Sequence, residues 1–113
     1  MSRKWPRIAM GLGLDLRYQN PDEASHTETA NISREGLFVR MNEPRPIGTK
    51  VFLRIDIANP PNHFELEGVV VHANPDPDDP TLTRPGPSGI GVLLTKSSDG
   101  WVEFCATLEK PGI

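Results

Sequence analysis

Apolar residues recur at every second position through most of this chain, in short runs cut apart by proline, glycine and aspartate. That pattern admits little besides antiparallel β-structure. Met10, Leu12, Leu14, Leu16 and Tyr18 mark a long first strand from Ile8 to Tyr18. The alternation is strongest from Lys50 to Ile57, where Val51, Leu53, Ile55 and Ile57 share one face and Lys50, Arg54 and Asp56 the other. Between these lie a strand over His26 to Ile32 and one over Leu37 to Met41, followed by a loop holding Pro44 and Pro46, which cannot donate to a ladder. Phe64 to Ala73 pairs with the preceding strand as a hairpin across a turn at Ala58 to Asn62, and Gly68 permits a bulge. Gly89 to Leu94 is the sixth strand.

Two segments depart from this period. Asn74 to Ser88 is proline, aspartate and glycine with little to bury, and reads as an exposed, mobile loop. Near the C-terminus, Trp101, Phe104, Cys105 and Leu108 fall at helical spacing, with Ser97 or Ser98 as cap and Pro111 and Gly112 as terminators. The expected fold is mainly β: a small six-stranded antiparallel barrel with one C-terminal α-helix. With 113 residues there is room for one core, so the organisation is a single domain over 1–113: an arm at 1–7, a barrel at 8–94 and a helix at 97–110.

Composition narrows the function. A net charge of −3 and a pI near 5.5 argue against a broad nucleic-acid surface. Yet Arg3, Lys4 and Arg7 cluster ahead of any acidic residue, which suits a small anion. No apolar run approaches a membrane span, and the N-terminus does not read as a secretory signal, so the cytoplasm is the expected compartment. Cys105, the single cysteine, and the scattered His26, His63 and His72 do not make a metal site or a nucleophile-base pair. Cys105 and Trp101 are expected in the core, His72 on a barrel strand, His26 and His63 exposed beside turns. Asp76, Asp78 and Asp79 lack the glycine and terminal glutamate of a calcium loop.

Two motifs remain. Arg3 and Arg7 form Arg-x-x-x-Arg, and Asn31, Ser33 and Gly36 form Asn-x-Ser-x-x-Gly. In that order, with the barrel pattern around them, they resemble the PilZ family. NISREGLFVR, the GTKVFLRIDI stretch, EGVVVHA and GIGV extend the likeness over nearly the whole chain. The resemblance implies a non-enzymatic receptor for cyclic di-GMP, without cofactor or metal, whose ligand-binding residues are Arg3, Arg7, Asn31, Ser33 and Gly36, and which relays its signal to a downstream protein partner.

The chemistry is consistent with these residue types. A guanidinium forks onto phosphate or a guanine edge, an amide meets a guanine, and a hydroxyl meets a phosphate. If the segment is extended, Asn31 and Ser33 lie on one side of it, with Arg34 facing away, while Gly36 permits positive φ or close backbone approach. Asn-x-Ser before glycine also reads as a turn that satisfies its own backbone. Arg34 and Glu35 stand where the family often has glycine, and Glu35 adds negative charge near a dianionic ligand. The arm before Ile8 is expected to be disordered without ligand, and the domain monomeric or weakly dimeric. The alternatives are a PilZ-like interaction module without ligand, related to motility or pili, and a small nucleic-acid-binding barrel.

Overall fold

The structure, a computed structural model, describes residues 6–18, 24–58, 61–78 and 86–109. Its elements are β1 (Ile8–Ala9), β2 (Gly13–Arg17), β3 (Ala24–Ile32), β4 (Gly36–Arg40), β5 (Lys50–Ala58), β6 (Pro61–Asn74), β7 (Gly89–Lys96) and α1 (Asp99–Glu109). All pairings are antiparallel. The strands run β3-β2-β5-β6-β7-β4, and β4 returns to pair with β3, so six strands close into a barrel, with β1 added beside β3. Closure leaves these six strands without an open edge, which removes the usual aggregation hazard of an isolated sheet.

The alternating residues read from the sequence fill the barrel. Leu14, Leu16, Ile32, Leu37, Val39, Val51, Leu53, Ile55, Leu66, Val70, Ile90 and Val92 are all buried. Each such side chain stabilises the fold by roughly 1.5–3 kcal/mol relative to exposure. The β6–β7 ladder shifts register at Glu67/Gly68, where the bulge was expected, and again at Val70/His72. A side chain at 68 would meet Val92 Cγ1 at 2.4 Å, so glycine there lets β6 and β7 approach.

The expected first strand is interrupted. Ala9 pairs with Asn31 and Gly13 with Glu28, so three residues, 10–12, span two of β3, Thr29 and Ala30. Thr29 is buried and closes the gap: its hydroxyl donates to Met10 O at 2.7 Å and accepts from Leu12 N at 2.9 Å. The displaced backbone groups are thereby satisfied, as buried polar groups must be. Met10 and Leu12 keep the apolar alternation through the break, which is why it looks continuous in sequence.

The loop expected at Asn74 to Ser88 is fastened where it leaves and rejoins the barrel. Asn74 is buried, still pairs with Gly89, and its amide donates to Pro87 O at 3.2 Å. Residues 79–85 lie outside the described residues. Pro61, expected in a turn, pairs with Ala58 at the start of β6, a position where a strand tolerates proline.

His63 sits opposite Asp56 on the β5–β6 hairpin, its Nδ1 2.8 Å from Asp56 Oδ1. The hydrogen bond to Asp56 raises the imidazole above its ordinary 6.5, and the same contact lowers Asp56 below 3.8. A raised histidine contributes stability below its unfolded value and loses it as pH rises through the folded one. A lowered carboxylate contributes above its unfolded value and loses it as pH falls. The pair therefore supports the hairpin only between these limits. An NMR titration of His63 is expected to give a midpoint above 6.5, moving back toward it in Asp56→Asn; an unchanged midpoint would show that Asp56 is not the cause.

Candidate functional site

The chain leaves β3 at Ile32, turns through Ser33, Arg34 and Glu35, and re-enters the barrel at Gly36. Ser33 holds this corner. Its N–H donates to Gly36 O at 2.7 Å, while its hydroxyl donates to Gly36 O and accepts from Gly36 N, both at 3.1 Å. With 1% exposure, Ser33 braces the corner from inside. The expectation that Asn31 and Ser33 share one side of an extended segment is corrected here: the strand ends at Ile32, so the alternation ends with it. The turn reading of the same residues describes the geometry.

Gly36 serves close approach rather than positive φ. A Cβ built there would stand 2.4 Å from the Val92 carbonyl oxygen of β7. The glycine is demanded by the barrel, whose β4 and β7 pair through Gly36 and Leu93.

Arg7 joins this corner from the other end of the sequence. β1 pairs Ile8 with Ile32 and Ala9 with Asn31, and this antiparallel run carries the preceding residue alongside the corner. Arg7 Nη1 donates to Asn31 Oδ1 at 2.7 Å, both residues being half-buried. Arg7 and Asn31, one residue from each motif and 24 positions apart, therefore meet. Arg7 is placed against the barrel here rather than held in a free arm; Arg3, with residues 1–5, lies outside the described residues.

Helix α1 packs on this corner. Ser98 is its cap, its hydroxyl accepting from Trp101 N at 3.2 Å. Trp101 is fully buried, lies edge-on to Phe64 at 5.5 Å between centroids, and donates through Nε1 to Ser33 O at 3.2 Å. Cys105 beside it is also fully buried, and burial together with the Glu109 carboxylate pushes its thiol up to about 11. Full burial makes Cys105 a core group, and a raised thiol is the reverse of the lowering that activates a cysteine. Arg34, next in the corner, reaches the helix: its guanidinium forks onto Glu109 at the end of α1, with 2.8 Å between Nη2 and Oε1.

That fork was absent from the sequence expectations, although a signal for it existed. Glu109 lies four and eight residues beyond Cys105 and Trp101, on the buried stripe of the helix, where a carboxylate requires a partner. His72, by contrast, lies on a strand as expected, 6.3 Å from the Phe38 ring. A separate cleft of about 680 Å³, between Tyr18, Thr27, Arg40 and Arg45, contains none of the motif residues.

These features define a closed β-barrel with a polar corner addressed by an arginine from its own N-terminal segment. The chain belongs to the PilZ domain family, whose sequence pattern matches residues 2–99. No protein of curated function matches significantly. Among solved structures, it is similar to the Bacillus subtilis inhibitor of motility MotI/DgrA, at 18% identity and a TM-score of 0.71, over 96% of this chain and 51% of that one. It is also similar to the PilZ domain of CeSA from a cellulose-synthesizing bacterium, at 15% identity and a TM-score of 0.64, over 93% and 99% of the two chains. The chain thus spans about half the length of MotI/DgrA. At these identities the likeness shows the fold alone.

Proposed function

We propose that this domain is a receptor for cyclic di-GMP that acts by binding and relays its state to a partner protein. The observation that supports this reading is the Arg7–Asn31 hydrogen bond, which joins one residue of the arginine motif to one of the corner motif. A ligand with two phosphates and two guanines offers partners to both groups, since a guanidinium forks onto a phosphate or a guanine O6/N7 edge and an amide meets a guanine edge. Arg3 is the second arm cation in this proposal, closing over the ligand. Gly36 and Ser33 hold the seat in shape. No helix among the described residues is long and apolar enough to cross a membrane, and a cytoplasmic location is part of the proposal.

The test is calorimetric titration of the domain with cyclic di-GMP. Arg7→Ala is expected to weaken binding by roughly tenfold or more, the loss of one charged hydrogen-bonded pair at about 1.5–3 kcal/mol. Arg7→Lys restores binding only in part, because it keeps the charge and not the planar fork. Equal affinity in the wild type and Arg7→Ala removes Arg7 from the site.

A second reading, a partner-binding module that does not take the dinucleotide, has one observation in its favour. Ile47, Val71 and Leu93 are large apolar side chains exposed at 53, 49 and 45%. The motility assignment of MotI/DgrA suggests where such a partner would be sought. Heat on dinucleotide titration separates the two readings.

A further inference from the structure

Two adjacent residues of the corner hold α1 at its two ends. Ser33 O accepts from Trp101 Nε1 at 3.2 Å near the start of the helix. Arg34 Nε lies 3.1 and 2.9 Å from the two Glu109 oxygens at its last residue, with Nη2 2.8 Å from Oε1. Trp101 and Glu109 are eight residues apart, about 12 Å along a helix. The Arg34 and Glu109 side chains are only 24% and 11% exposed, so this is not a solvated surface pair.

Glu109 is poorly placed without Arg34. A carboxylate at a helix C-terminus faces the negative end of the macrodipole, and the last turn within α1 contains no basic residue. Removing the fork leaves a nearly buried anion at the negative end of the helix, which is strongly unfavourable. Arg34 is also a cation within the corner, three residues after Asn31. Its planar fork suits phosphate and carboxylate equally well.

We propose that the Arg34–Glu109 pair is a latch: an anionic dinucleotide seated at Arg7 and Asn31 draws the Arg34 guanidinium from Glu109 and releases the last turn of α1. The inference rests on the receptor reading above and adds the element through which binding is reported. Two anions compete for one fork, so the coupling is reciprocal. If ligand loosens the helix end, a loosened helix end must bind ligand more tightly by the same factor, and loss of the Glu109 charge, which removes the competing anion, tightens binding.

The experiment is amide hydrogen exchange over Cys105 to Glu109 in the full chain, with and without saturating cyclic di-GMP, alongside calorimetry of Glu109→Gln. Ligand is expected to speed exchange in that turn several-fold. Glu109→Gln, which preserves shape and removes the charge, is expected to bind the dinucleotide about five- to tenfold more tightly. Unchanged exchange at saturation, or an unchanged affinity in Glu109→Gln, overturns the latch while leaving the receptor reading intact. A wild-type chain that does not bind the dinucleotide overturns both.

Discussion

Trp101→Ala is expected to destabilise the domain by about 3–5 kcal/mol, the usual cost of deleting a fully buried indole. The side chain has no exposed surface and contacts the rings of Phe64 and Phe104, at 5.5 and 5.9 Å between centroids. Its loss also strands Ser33 O, whose partner is the indole N–H. For a domain whose net stability is about 5–15 kcal/mol, such a loss removes a large fraction. The melting temperature is expected to fall by roughly 10–20 °C. Trp101→Phe restores part of this, since it keeps an aromatic ring but not the hydrogen bond. Urea denaturation measures the difference. A loss below about 1 kcal/mol would mean that α1 is not packed on the corner as described.

Gly36→Ala is the second large effect. The new Cβ stands 2.4 Å from a backbone oxygen in the middle of β7, an atom that moves only if the β4–β7 ladder moves. Overpacking of this kind costs about 1–3 kcal/mol and sometimes more, and here the obstacle is backbone rather than a flexible side chain. Gly13→Ala is the matched control, because nothing lies within 4 Å of the Cβ it would introduce. It is expected to change stability by no more than about 0.5 kcal/mol. Similar melting of the two variants would contradict the close approach at Gly36. A binding defect in Gly36→Ala therefore has to be read against its folding, since this motif glycine serves the barrel first.

Most strands were legible because a one-sided barrel wall imposes a period of two, and β5 shows it without interruption. The break between β1 and β2 was not legible, since it is made by Thr29, a residue 17 positions from Leu12. Glycine spacing announced the bulge at Gly68 but not the second shift at Val70/His72. At the corner, residue types identified Asn31, Ser33 and Gly36 as a unit, while simple alternation misplaced Ser33. Alternation applies only while the strand lasts, and the reciprocal Ser33–Gly36 bonds end it. The helix was legible from its apolar spacing and its serine cap. Its attachment was not, because Arg34 and Glu109 are 75 residues apart and neither residue names the other.

Arg7 meeting Asn31 at the edge of a buried, self-braced corner is the geometry from which ligand binding is inferred. The most direct test is an NMR titration of the isotope-labelled domain with cyclic di-GMP, following the Asn31 side-chain amide, the Arg7 guanidinium and the backbone amides of Ser33 to Gly36. The account predicts saturable shifts concentrated at these groups. Saturation with shifts confined to residues remote from Arg7 and Asn31, or no saturable shift in ligand excess, would contradict it.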